Sequence, residues 1–364
     1  MNIPLIDLKA QYNSIKREID PAIQDVLDTT QFILGPRIEK FEREYSKYCG
    51  TKFCVGVSSG TSAVHLALAT SCIKPGDEVI TVPNTFIATT ECISLVGANI
   101  KFVDIDKETC NIDFEKIEKA IIPKTKAILP VHLYGQIADM KPIIEIAEKH
   151  SLAVIEDSAQ AHGAEYDGKK APIVNVAAYS FFPAKILGAY GDAGAVVTND
   201  KEVYEKIKLL RFHGTRDKKT FFMEGYNHRL DELQAAILNV KLKYLDKWVS
   251  QRREHAKLYN ELLDGVVELP YEMKGAKHSY YLYVIRTKKR DQLQEYLKKN
   301  GIGTGIHYYP PLHLQPAYRH LGYKEGSFPA TEQVSKEILS LPMYPELAEE
   351  QINYVAEKVK EFLK

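Results

Sequence analysis

Neither standard nucleotide fingerprint is present. There is no G-x-x-x-x-G-K-[ST], and the GIGTG at 301–305 does not match G-x-G-x-x-G. No C-x-x-C pair occurs. The five cysteines (Cys49, Cys54, Cys72, Cys92 and Cys110) are odd in number and confined to the first third of the chain. That argues against a zinc ribbon or a disulfide framework and fits a reducing cytoplasm. No apolar run is long enough to span a bilayer. The N-terminal MNIPLIDLKAQYNSIKRE reaches charged residues too early for a signal peptide. Surplus charge is also missing, since 48 Lys and Arg balance 48 Asp and Glu. This excludes the cationic excess on which duplex nucleic-acid binding rests and a polybasic membrane-binding face. It leaves room for a local pocket for one small anion. The expectation is a cytoplasmic protein with no nucleic-acid partner and no membrane attachment.

The length of 364 residues predicts two domains, or one large domain with an appendage. Residues 20–48 read as helical, with a break at Leu34-Gly35-Pro36. Short apolar runs follow: CVGVSS (54–59), EVITVP (78–83), IKFVDI (100–105), KAILPVHL (126–133), AVIED (153–157), AAYSFF (177–182) and AGAVVTN (193–199). Most are β-branched, continuous, and bounded by Gly, Pro, Asp or Asn, as strands buried on both faces read. Helical stretches such as 61–72 and 139–150 lie between them. Strand–helix alternation implies a mainly parallel α/β sheet of about seven strands. Leu230, Leu233, Ile237, Val240, Tyr244 and Trp248 then step by three and four, predicting one stripe on a long helix. Beyond it the pattern predicts helix 252–263, strand 279–287, helix 290–299, strand 304–309 and a closing helix 348–363. The expected division is a large α/β domain over 1–247, with its N-terminal helical segment, and a smaller C-terminal α+β domain over 248–364.

Ligands of open α/β sheets bind beyond the carboxyl ends of the strands. After the first run comes Ser58-Ser59-Gly60-Thr61-Ser62, then a helix. Taken alone this is a Ser/Thr N-cap. It also offers hydroxyls and unpaired N–H groups to a phosphate at a helix N-terminus. After AVIE comes Asp157, which is either a cap for the next turn or a fixed anion facing a protonated ring nitrogen. Glu156 points to the opposite side of that strand. His162 has no metal-ligand spacing around it and reads as a core or supporting histidine. Lys185 stands between Phe181-Phe182-Pro183 and Ile186-Leu187, ahead of Gly188, Gly191 and Gly194. Apolar walls favour a neutral amine, the form that condenses with an aldehyde. The glycines allow close backbone approach. Together these give a phosphate cup, an anion for a pyridinium and a lysine for an aldehyde, the contributions that pyridoxal phosphate needs.

With those residues in view, the sequence resembles the DegT/DnrJ/EryC1/StrS sugar aminotransferases, within the fold-type I pyridoxal phosphate enzymes. The likeness runs over essentially the whole chain, through PLIDLKAQY, SSGTSAVHLAL, PNTFIATTE, PVHLYGQIADM, VIEDSAQAHGA, SFFPAKILGAYGDAGAVVTND, GYNHRLDELQAAIL, GIHYYPPLHLQPAY and LSLPMYP. The resemblance implies pyridoxal 5′-phosphate as cofactor. It makes Lys185 the catalytic lysine that binds the cofactor aldehyde and shuttles a proton between cofactor and substrate carbons. It makes Asp157 the carboxylate that keeps the ring nitrogen protonated. Gln160 falls near the ring hydroxyl and Phe86 on the ring face. Gly60, Thr61, Ser62 and Ser180 fall at the phosphate. Asn227 matches a phosphate contact that crosses from a neighbouring subunit, which implies a homodimer with shared active sites. Arg229, His307 and Tyr308 fall where relatives bring substrate contacts from that neighbour.

The implied reaction moves an amino group from L-glutamate to a nucleotide-linked keto sugar. Relatives with histidine in place of Lys185 dehydrate instead, so lysine implies transamination. The run from Asn227 to Ala236 resembles members that aminate C3, and the substrate it implies is a dTDP-3-keto-6-deoxyhexose. His228 departs from the small residue expected there. UDP-linked 3-keto sugars and C4 amination are the neighbouring readings. A non-catalytic regulatory relative is the reading from another class, and it predicts a degraded site.

Overall fold

The computed structural model describes all 364 residues. The N-terminal segment forms α1 (Leu8–Thr29) and α2 (Pro36–Cys49). α1 begins well before residue 20 because Asp7 caps it, accepting from Ala10 N at 2.8 Å. The break falls where Leu34-Gly35-Pro36 predicts it. Pro36 opens α2, where a missing N–H costs nothing.

Seven strands form the central sheet: β1 (Phe53–Val57), β2 (Glu78–Thr81), β3 (Asn99–Phe102), β4 (Thr125–Ile128), β5 (Ala153–Asp157), β6 (Val176–Ser180) and β7 (Gly194–Thr198). Their order is β1-β7-β6-β5-β4-β2-β3. Only β7 runs antiparallel to its neighbours, so the sheet is mainly parallel. Successive residues point to opposite faces. Ile80, Val154 and Ala177 accordingly enter one core, while Val79, Ile155 and Ala178 enter the other. The helices α3 (Gly60–Thr70), α4 (Ala88–Leu95), α5 (Phe114–Ala120), α6 (Met140–His150) and α7 (Lys201–Leu210) connect or cover the strands.

The predicted single long helix is bent. It consists of α8 (Glu232–Lys241), a 3₁₀ turn at Leu242–Tyr244, and α9 (Leu245–Leu263). Lys243 Nζ and the Tyr244 hydroxyl both bond Glu18, which ties the bend to α1. Leu230, Ile237, Val240 and Trp248 are still buried in one core. α9 serves two cores. Trp248 and Val249 pack with the sheet, whereas Ala256, Tyr259 and Leu263 pack with Ile3 and the C-terminal segment. The 247/248 division therefore falls inside a shared helix.

The C-terminal part holds β8 (Tyr283–Arg286) antiparallel to β9 (Ile338–Leu341), with α10 (Arg290–Lys299), α11 (Pro329–Glu337) and α12 (Glu349–Leu363) around them. Residues 304–309 do not form the expected strand. Gly305 exchanges backbone bonds with Ser340 at 3.1 and 2.8 Å. Pro310 and Pro311 then follow in an irregular segment, and proline cannot extend a ladder. The true partner of β8 is ILSL at 338–341. No helix is long and apolar enough to cross a membrane.

Candidate active site

The expected phosphate end lies at the start of α3. Ser59 caps the helix, its Oγ accepting from Ser62 N at 3.0 Å. Ser62 Oγ also bonds Ser58 Oγ at 2.8 Å and Ser59 Oγ at 3.0 Å. A Cβ on Gly60 would stand 2.5 Å from Ser180 Cβ. Glycine is thus required for α3 to meet the end of β6, and the contact brings Gly60, Thr61, Ser62 and Ser180 together. The N-cap reading holds. The cap is satisfied by Ser59, and the Thr61 hydroxyl is committed to no other group in the chain.

Asp157 ends β5 and is 5 % exposed. Its Oδ2 accepts from Thr89 Oγ1 at 2.7 Å and its Oδ1 from Ala159 N at 3.2 Å. Thr85 Oγ1 supports Thr89 at 2.9 Å. Burial pushes the carboxyl above its ordinary range, against the opposing pull of those two bonds and of the Lys185 charge. Glu156 faces the other way, as strand alternation predicts. It bonds His132 Nε2 at 2.9 Å and the amides of Ile173 and Val174 at 2.7 and 3.0 Å.

Gln160 is buried beside Asp157. Its Oε1 accepts from Tyr134 N at 2.9 Å, and its Nε2 donates to the Tyr308 hydroxyl at 3.2 Å. Tyr134 donates its own hydroxyl to the His307 carbonyl. His307 Nδ1 lies 2.8 Å from Ser340 Oγ, and burial with the nearby Lys185 charge pushes its ring down to about 4. His307 and Tyr308 are thus bonded, directly or through Tyr134, to the Gln160 region of their own chain. The Phe86 ring is 5.8 Å from Tyr308, tilted at 45°, and 54 % exposed, so one face is open. His162 is a core residue, packed 5.3 Å from Tyr179 and 5.6 Å from Phe181, yet neither ring nitrogen has a partner. Burial pushes it down to about 3, so it is neutral.

Lys185 is half-buried, and its Nζ stands 4.5 Å from the ring centroid of Tyr281. Its neighbours Phe181, Ile186 and Leu187 are buried in the core, while Phe182 is exposed. The glycines of this loop serve the chain's own packing. A Cβ would fall 2.3 Å from Pro183 O at Gly188, 2.8 Å from Gln234 Nε2 at Gly191 and 2.2 Å from Ser59 O at Gly194. Two helical side chains clamp the loop. Lys241 Nζ donates to Gly188 O at 2.6 Å, and Gln234 Oε1 accepts from Tyr190 N at 2.9 Å.

Asn227 and Arg229 are not drawn into that cluster. Asn227 is exposed at the end of a hairpin-like loop whose Phe221, Phe222, Met223 and Tyr226 are also exposed. Arg229 lies opposite Val57, its guanidinium 5.4 Å over Phe212 and its Nε buried without a partner. Sequence reasoning missed Thr89, Tyr134, Tyr281 and Lys241. PNTFIATTE contains Thr89, but its bond to Asp157 spans the sheet and leaves no local signal.

A sequence profile of the DegT/DnrJ/EryC1/StrS aminotransferase family matches residues 13–360. The chain belongs to this family. Across the whole chain it is 50 % identical to the "Pleiotropic regulatory protein" of Geobacillus stearothermophilus, covering 99 % of that protein. It is 44 % identical to the dTDP-3-amino-3,6-dideoxy-alpha-D-galactopyranose transaminase of Aneurinibacillus thermoaerophilus, covering 99 % of each. Its fold superposes on DesV of S. venezuelae, solved with a ketimine intermediate, at a TM-score of 0.98 and 43 % identity over 100 % of this chain and 99 % of that one. This DegT/DnrJ/EryC1/StrS member has the fold-type I architecture that the sequence predicts.

Proposed function

We propose that this aminotransferase moves an amino group from L-glutamate to C3 of a dTDP-3-keto-6-deoxyhexose, using pyridoxal 5′-phosphate. One observation carries the reading: a buried carboxylate that forms no salt bridge within the chain, Asp157, shares the site with the amine of Lys185. A desolvated anion of this kind is stabilised by an incoming cation, and a protonated pyridine nitrogen fits it. The α3 terminus, with Thr61, Ser62 and Ser180 converging on Gly60, fits a phosphate.

When bound, the cofactor supplies an aldehyde for amines and a ring that takes up electrons from the substrate carbon. Asp157 holds the ring nitrogen's proton, and Thr89 keeps Asp157 oriented. Gln160 would hold the ring hydroxyl and Phe86 would cover a ring face. Lys185 takes the proton from one carbon and returns it to another, as general base and then general acid. His307 is neutral and presents its ring to the sugar without adding charge. Residues 1–247 hold the cofactor, and residues 248–364 bring Tyr281, His307 and Tyr308 over it.

A homodimer belongs to this reading. The exposed apolar loop at Phe221–Tyr226 leads directly into Asn227 and Arg229, so a second copy that covers it receives both residues. A cytoplasmic location is supported by five cysteines that form no disulfide. The test is direct. Loaded protein should show visible absorption that glutamate bleaches, and mass spectrometry should find an aminated dTDP sugar. Amination of a UDP-linked or C4 keto sugar alone would move the substrate assignment. Loss of water without amination would make the chain a dehydrase.

A regulatory reading is favoured by the name of the Geobacillus relative. The undegraded set of Lys185, Asp157, Gln160 and Asn227 stands against it. Absence of bound cofactor and of turnover across a panel of keto sugars would revive it.

A further inference from the structure

The amine of Lys185 forms neither an ion pair nor a hydrogen bond within the chain. What faces it is aromatic, the Tyr281 ring at 4.5 Å. A ring face attracts a cation through its quadrupole, and the attraction grows as water is removed. Tyr281 is buried, and its backbone is held from both sides. Buried Arg252 donates from Nη1 to the carbonyls of Tyr280, Tyr281 and Met343 at 3.2, 3.3 and 2.8 Å. Opposite, Ser279 N donates to Gly135 O at 2.8 Å and Leu282 N to Tyr134 O at 3.2 Å. At Gly135, where φ is +107°, a Cβ would stand 2.9 Å from Tyr281 N. Only glycine lets these two segments dock, and the docking fixes the ring.

We propose that the face of Tyr281 is the seat of the Lys185 ammonium whenever that amine is not bonded to a carbonyl. The inference rests on the reading of Lys185 as the proton-carrying amine of a transaminase. Such a lysine spends part of each cycle free, with a flexible stem and no carboxylate to anchor it. A ring face keeps the charged end in the site. It imposes no hydrogen bond that must break when the amine turns back to react. Tyr281 acts through Lys185, so it is a positioning residue. Because the ring face attracts the ammonium, removing it should leave the amine freer to react with an acylating reagent, and this can be read without catalysis.

The experiment is competitive acylation of the cofactor-free protein with acetic anhydride over a pH series, with the Lys185 peptide quantified by mass spectrometry. Tyr281→Leu should raise the acetylation of Lys185 at pH 8 about tenfold, and Tyr281→Phe should leave the profile in place. Pentafluorophenylalanine at the same position keeps the ring's shape and inverts the charge of its face, so it should move the profile at least as far as leucine. Lys241, fully buried, stays unlabelled in folded protein and reports any variant that fails to fold. A profile unmoved by the fluorinated ring, or moved as far by phenylalanine, overturns the seat. Amination by Lys185→Ala would instead sink the underlying reading, whatever the profile does.

Discussion

Thr89 donates a 2.7 Å hydrogen bond to a carboxylate that forms no salt bridge, Asp157. Burial raises the folded pKa of Asp157 above the ordinary 3.8. The folded state therefore holds the proton longer than the unfolded state. This group's contribution to stability falls as pH rises from about 3.8 to the raised value, then levels off. Thr89→Val removes the bond that opposes the shift. The cofactor-free variant should lose about 1.5–3 kcal/mol at pH 8, where the carboxylate is ionised. The loss should shrink as pH falls through the raised pKa. Urea unfolding over a pH series from 8 down to 4 checks this, and a loss equal at every pH would contradict it.

The sheet was readable because each strand is a continuous apolar run, which burial on both faces demands. The phosphate cup, Asp157 and Lys185 were readable because each sits just after such a run. Tyr281 was not, since its contact with Lys185 joins residues far apart in the chain and shows only as one tyrosine among 22. The strand expected at 304–309 failed for a local reason, the prolines that follow it. The real partner at 338–341 is only four residues long and carries a serine that blunts its pattern. The acidic run after Arg229, which resembles a substrate signature, has a second job: Glu232 and Gln234 hold the fold.

Glu232 shows that job most clearly. Fully buried, it accepts from the amides of Gly35 and Ile38 at 2.9 Å each and from Arg37 N at 3.2 Å, and it pairs with Arg37 Nη1 at 3.2 Å. One carboxylate thus caps α2 and binds it to α8. Glu232→Gln puts a donor where donors converge. Unfolding free energy should drop by about 3 kcal/mol, while kcat of the folded enzyme stays unchanged. A change in sugar preference without a stability loss would return Glu232 to the substrate site.

Gly60→Ala tests the cup. The new Cβ would sit 2.5 Å from Ser180 Cβ and 3.1 Å from its Cα, and backbone cannot give way as a flexible side chain does. Moving Ser180 away from α3 should weaken pyridoxal phosphate binding about tenfold or more, a loss of about 1.4 kcal/mol. Titration of the cofactor-free protein by absorbance measures it. Unchanged affinity would mean that the phosphate lies elsewhere.

Lys241 makes the last prediction one of sign. It is fully buried, donates to Gly188 O, and is pushed down to about 7 by burial, against a smaller opposing pull from Glu346. Its folded pKa is thus below the unfolded 10.5. Between those values the unfolded chain binds the extra proton, so stability from this group rises with pH and is smallest below about 7. Each unit is worth about 1.4 kcal/mol, so the gain from pH 7 to pH 9 should be about 2 kcal/mol. Lys241→Met should remove that slope. It should also loosen the loop after Lys185, because Gly188 O loses its donor. Urea unfolding at the two pH values reads the slope, and hydrogen exchange across residues 186–191 reads the loop. A variant that keeps the parent's slope would show that Lys241 is not the group that titrates.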